Sequence, residues 1–218
     1  NNYKLIDDLK ANMNVSTTLN SQPFGEESYY IYYFKKPKKE KIEAYSSAQR
    51  TKKTDITIID GPTMYLVNPV NKAVQRINLL EATWLNSSQF NQMDIYYNLS
   101  EFLNSHTLRK NEGDSDSKNS IMAIDATPKT TNTLYTKLEL FIDYSKGLVV
   151  KSLLFKNNSL IETLEIKESK NMPNGAWVPV KMIKTPMLTS GNMVNTLIYS
   201  DIKVNVGLTD TDFDPQKQ

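Results

Sequence analysis

The sequence predicts an α+β fold built on one continuous, curved antiparallel sheet with helices laid on one face. Three observations predict it. Glu27–Ile77 alternates short strands with turn signals, and Leu134–Val206 does so again. Glu81–His106, between these two meanders, carries its apolar residues at a helical rather than a strand period. Finally, Tyr29-Tyr30-Ile31-Tyr32-Tyr33-Phe34 is apolar or aromatic on both sides of a pleat, where a strand with one wet face should alternate. A strand covered on both sides in an antiparallel meander implies a curved sheet whose inner face encloses a helix or a ligand.

Each element follows in order, within a single domain spanning residues 1–218. Leu5, Leu9 and Met13 repeat at four-residue spacing, predicting an N-terminal helix over about 3–13. The first meander, about 14–80, opens with Val- and Thr-rich Asn14–Leu19 and turns at Gln22-Pro23-Phe24-Gly25 into the aromatic strand. Lys35-Lys36-Pro37 ends that strand. Lys41–Tyr45, Thr54–Ile59, Met64–Val67 and Ala73–Ile77 follow, separated in part by the Asp60-Gly61 and Asn68-Pro69 turns. A helical insertion covers about 81–106, its best-defined part being Met93–Leu103, and Lys110–Asn119 is expected to be a polar loop. The second meander, about 134–206, turns at Ser145-Lys146-Gly147, Asn157-Asn158 and Ser190-Gly191-Asn192.

Composition excludes several chemistries. The 218 residues contain no cysteine, so thiolate catalysis, disulfides and cysteine-based zinc sites are out. His106 is the single histidine, too few for a His-pair metal site, and a lone histidine at a helix end reads as a surface or capping residue. The Asp114–Asp116 and Asp210–Asp214 runs lack the glycine a calcium loop needs, with Asn119 and Pro215 in its place. No glycine cluster could cradle a phosphate. These absences leave no positive sign of an enzyme or of a metal site.

A net charge of +2 is too small to predict nucleic-acid binding. The basic group Lys35, Lys36, Lys38, Lys39 and Lys41 is interleaved with Glu26, Glu27, Glu40 and Glu43, and reads as a solvated corner between strands. Contact with anionic lipid headgroups is the other reading. Tyr29–Phe34, Met64, Tyr65, Trp84, Tyr96, Tyr97 and Phe102 fit a plain core. The soft apolar wall of a cavity for acyl chains is the second reading of the same residues, behind plain core.

The order of motifs resembles the outer-membrane lipoprotein-sorting proteins, the LolA-like family. The resemblance runs from the basic-Pro corner Lys35-Lys36-Pro37 through Ile58-Ile59-Asp60-Gly61 to Met64-Tyr65-Leu66-Val67-Asn68-Pro69. Trp177-Val178-Pro179-Val180-Lys181 is similar to a W-x-P-x-K/R strand of that family, and Phe213-Asp214-Pro215 to its F-x-P tail. Each motif is short; their order over about residues 3–215 carries the match.

The resemblance implies an incomplete barrel with helices packed against its concave side and an acyl-chain cavity between. It implies a periplasmic or extracytoplasmic carrier, not an enzyme and without cofactor or metal, that shelters acyl chains of lipoproteins or lipids during transfer, with inner- or outer-membrane proteins as partners and no nucleic acid. The expected cavity wall is Tyr30, Tyr32, Phe34, Ile58, Leu66, Met93, Tyr97, Leu140 and Leu153. Tyr29, Ile31 and Tyr33 form the alternative set, since alternation does not say which face of the strand looks inward. Lys36 stands where the family's carriers place an arginine that holds lid and cargo, and lysine lacks the planar fork of that group. A sensor or partner-binding module of the same fold is the alternative reading. The start at Asn1-Asn2 suggests a processed terminus, compatible with a removed lipobox and an anchored form.

Overall fold

The computed structural model describes residues 2–79, 99–130, 135–188 and 191–218. Their strands form one 14-stranded antiparallel sheet that does not close. The strands are β1 (Asp8–Leu19), β2 (Gln22–Pro23), β3 (Ser28–Lys35), β4 (Lys39–Tyr45), β5 (Lys53–Asp60), β6 (Thr63–Val67) and β7 (Val74–Asn78). After a short helix α1 (Leu99–Ser105) come β8 (His106–Asp116), β9 (Ile121–Pro128), β10 (Lys137–Asp143), β11 (Leu148–Lys156), β12 (Ser159–Asn171), β13 (Trp177–Leu188) and β14 (Gly191–Val204). Their order across the sheet is β7-β6-β5-β4-β3-β1-β14-β13-β12-β11-β10-β9-β8, with β2 paired to β1. The first and last long strands therefore meet at the centre, and the mid-chain strands β7 and β8 form the margins.

Turn chemistry explains much of this path. Gly61 takes φ 57° between β5 and β6, a left-handed conformation that glycine adopts without cost. Asn157 and Asn158, at φ 50° and 65°, make the tight hairpin of β11 and β12, where asparagine tolerates the same region. The Asn68 side chain accepts from the Val70 and Asn71 amides, holding the β6–β7 turn.

Three expectations are corrected. The N-terminal helix over about 3–13 is instead a short 3-10 turn, Asn2–Leu5, followed by strand β1. A four-residue spacing is also two strand periods, and Leu9, Ala11, Met13 and Val15 alternate onto one face of the sheet. The polar loop over Lys110–Asn119 is largely β8, an edge strand exposed along most of its length. Edge strands have little apolar surface to bury and carry charges that discourage further pairing, so the alternation that marks a strand is missing. The second meander therefore starts at His106 rather than about 134. The helical insertion lies outside the described residues up to 98, and within them helix is confined to α1 and short 3-10 turns. Helices covering the concave side are not part of the described architecture.

Candidate functional site

Cross-strand register sorts the side chains onto two faces. On one, Leu9, Ala11 and Met13 of β1 stand opposite Phe34, Tyr32 and Tyr30 of β3. They pack with Leu164, Met182 and Tyr199, and with Met172, Ala176 and Val178, into the central cluster. The Tyr32 and Tyr199 rings meet edge-on, 6.3 Å between centroids at 77°, a geometry that contributes roughly 1 kcal/mol beyond the burial itself. The same face continues along the row Leu140, Ser152, Leu164 and Lys184 into a second cluster of Leu138, Leu140, Leu154, Ala126 and Phe102. This is the core face.

The opposite face of β3 is covered too, by the C-terminal segment. Asp8 accepts from the amides of Val206, Gly207 and Leu208 at 2.6, 2.9 and 3.1 Å, turning the chain as it leaves β14. Beyond that turn Phe213, 2% exposed, packs with Tyr33, Ile56, Ile58 and Val67. The two-sided aromatic strand thus has a physical explanation: Tyr30, Tyr32 and Phe34 face the core, while Ile31 and Tyr33 lie under the tail. Beside this cluster the buried Glu43 accepts from Tyr33 Oη at 3.2 Å and Tyr45 Oη at 2.8 Å. It also pairs with Lys41 at 3.2 Å and Lys53 at 2.8 Å. Burial alone would raise its carboxyl pKa, but hydrogen bonds from Lys53 and Tyr45 and the charge of Lys41 outweigh it and hold the value low.

The residues expected as a cavity wall fall on both faces of the sheet. Tyr30, Tyr32, Phe34, Leu66 and Leu140 share the core face, Leu66 being 36% exposed. Ile58 and Leu153 do not join them: Ile58 pairs with Lys41 and Tyr65 on the tail side, and Leu153 pairs with Glu139 and Thr163, out of phase with Leu140. One wall cannot hold both sets, because a shift of one position along a strand reverses the face. Met93 and Tyr97 lie outside the described residues. Lys36 pairs with Asp7 at 3.4 Å, and its peptide bond to Pro37 is cis.

The neighbouring lysines are paired as well, Lys35 with Asp210 at 3.1 Å and Lys39 with Asp60 at 3.1 Å. The basic corner is therefore largely balanced by local carboxylates. At the bulge in β14 a groove of about 280 Å³ is lined by Lys10, Ala11, Asn12, Ile31, Asp201 and Lys203, too polar for an acyl chain.

His106 is buried at 8% exposure. Its Nδ1 lies 3.0 Å from the Phe102 carbonyl and donates to it, capping α1, which leaves Nε2 to accept from Tyr135 Oη at 2.9 Å. Burial lowers its pKa, the Phe102 carbonyl opposes that, and Lys129 adds to it. No group of three or more histidine or acidic side chains suited to a metal ion occurs among the described residues.

Sequence reasoning missed three buried polar groups on the core face: Ser152 and Glu162, both at 0% exposure, and Lys184 at 9%. Glu162 Oε1 and Lys184 Nζ are 3.3 Å apart. Burial raises the Glu162 pKa to about 7 against the pull of Lys184, and burial lowers that of Lys184 against the pull of Glu162. The signal was available, since Glu162 falls in phase with Leu164 and Ile166, and Lys184 in phase with Met182.

A family model described as "Uncharacterized protein" matches residues 26–217. No curated protein matches the sequence. Among solved structures, a domain described as an outer-membrane lipoprotein-sorting protein from Vibrio parahaemolyticus superposes with a TM-score of 0.75 at 16% identity, covering 97% of this chain and 92% of its own. A DUF1329 family protein from Desulfovibrio piger gives 0.74 at 15% identity, covering 98% and 95%. A LolA superfamily protein from Nitrosomonas europaea gives 0.68 at 18% identity, covering 97% and 93%. At these identities the likeness is one of fold.

Proposed function

This chain belongs to the family whose model matches residues 26–217 and has a LolA-like fold, and from that premise we propose that it is an extracytoplasmic carrier that shelters acyl chains of a lipoprotein or lipid against the core face. The observation that carries the reading is the breadth of that face. It runs from Met64 and Ile77 near one margin, through Phe34, Tyr32, Leu9 and Met182, to Leu138 and Leu140 near the other. Acyl chains offer area and few hydrogen bonds, so a broad apolar surface on an unclosed sheet suits them. The fold shared with a domain described as lipoprotein-sorting supports the same reading. None of the helices among the described residues is long and apolar enough to cross a membrane. The carrier performs no covalent chemistry.

Tyr30, Tyr32, Phe34, Leu66 and Leu140 supply wall surface. Lys36, one residue beyond β3, offers its ammonium to an acyl carbonyl in exchange for exposed Asp7, a pairing that costs little to give up. Native mass spectrometry with organic extraction, on protein purified gently from membrane-containing lysate, tests the reading. Acylated species should co-purify. Leu66→Arg on the core face should remove them, whereas Ile198→Arg, exposed on the opposite face, should leave them. A clean apo mass that stays unchanged after incubation with a diacylated lipopeptide refutes the carrier.

A further inference from the structure

The geometry points to a polar subsite within the core face, built from Ser152, Glu162 and Lys184, that takes an amide-linked acyl chain in preference to an ester-linked one. The inference rests on the carrier reading above and names the linkage its site prefers.

The three groups sit close together in the ladder. Ser152 of β11 stands opposite Leu164 of β12, and Leu164 stands opposite Lys184 of β13. Glu162 is two residues before Leu164 on the same face and opposite Leu154, one diagonal step from Ser152. They lie where the central cluster ends at Leu164 and the second begins at Leu154 and Leu140, in the middle of the proposed acyl path.

Their hydrogen bonding is incomplete. Among the described residues, no hydrogen bond reaches the buried Ser152 Oγ or either Glu162 oxygen, and Glu162 Oε1 keeps the ion pair with Lys184. Buried polar atoms left in this state cost free energy, and an apolar residue in their place would not. Thr17 and Asn195, farther along the row from Lys184, bond each other at 2.8 Å. Polar groups in this row are thus otherwise satisfied, and the Ser152–Glu162 pair stands out.

What completes the set is a ligand group with a donor beside an acceptor. A secondary amide has both: its N–H donates to Glu162 Oε2, and its carbonyl accepts from the Ser152 hydroxyl. An ester has only the carbonyl. Because burial weakens competition from water, the missing donor is felt strongly. The raised carboxyl pKa of Glu162 is what an underbonded carboxylate in an apolar face should show.

The experiment uses the full chain and two near-isosteric probes, N-methylpalmitamide and methyl palmitate, each displacing a bound environment-sensitive acyl dye. The wild type should take the amide about tenfold more tightly, equivalent to about 1.4 kcal/mol. The double substitution Glu162→Leu/Lys184→Leu, which removes the pair without stranding a charge, should bring the ratio within about twofold while still binding both probes. Ser152→Ala should weaken both probes alike and keep the ratio. Equal binding of the two probes by the wild type, or an unchanged ratio in the double variant, overturns the subsite and leaves the carrier standing. Failure of both probes to displace the dye from the wild type overturns the carrier as well.

Discussion

Truncating Phe213 measures how far the C-terminal segment belongs to the core. The ring is 2% exposed and packs on Tyr33, Ile56, Ile58 and Val67, all on the tail side of the sheet. Replacing a buried phenylalanine by alanine costs roughly 3–5 kcal/mol in a rigid core. Here the cavity opens under a surface segment that can settle into it, so the lower end, about 3 kcal/mol, is the expected value. With a urea m-value of about 3 kcal/mol/M for a chain of this size, the unfolding midpoint should fall by about 1 M. Phe24→Ala is the control, because Phe24 is 56% exposed and its loss should stay within about 0.5 kcal/mol. Equilibrium urea unfolding followed by tyrosine fluorescence and circular dichroism reads both variants. A Phe213→Ala midpoint within about 0.3 M of the wild type, less than a third of the shift worked from that m-value, would refute the two-sided burial of β3.

Two further outcomes follow from the titratable groups. The single imidazole, His106, should show an NMR titration midpoint below 6.5, since burial disfavours its charged form; a midpoint at or above 6.5 would contradict its burial beneath Phe102 and Tyr135. Glu43→Gln should destabilise the fold by about 3 kcal/mol at pH 7, because it leaves Lys41 buried without its carboxylate. The Glu43 pKa is depressed in the fold, so its contribution is complete above the ordinary value of 4.5 and is lost as pH falls below it. The gap between wild type and variant should therefore narrow on acidification, and a gap that widens would reverse the assignment.

The sequence carried the strand content well wherever one strand period was visible between turn residues. β3 to β7 and β10 to β14 lie close to their expected positions because Asp60-Gly61, Asn68-Pro69, Ser145-Lys146-Gly147 and Asn157-Asn158 each impose a local geometry. The second half of β1, Asn14–Leu19, is legible as a strand, but Asp8–Met13 reads as a helix because Leu5, Leu9 and Met13 satisfy both periods, and only pairing with β3 and β14 decides between them. The side of Ile58 was not legible for a related reason. It depends on Tyr33, Lys41 and Ile58 standing in one row across three strands, and alternation within a strand says nothing about register between strands. Glu162 and Lys184 were legible as charges in an apolar phase, but their contact across β12 and β13 was not.

The two margins of the sheet have a mechanical consequence. A closed barrel has its width set by strand number and stagger, and it can change only by breaking a ladder of hydrogen bonds. Among the described residues, this sheet instead ends at Val74–Asn78 on one side and His106–Asp116 on the other. Its twist can loosen or tighten by a few degrees per strand with every backbone pair intact, as in any open sheet. Summed over so many strands, such small rotations move the margins by large distances. One backbone can thus take a range of curvatures, and the resistance it meets comes from side chains rather than from the ladder.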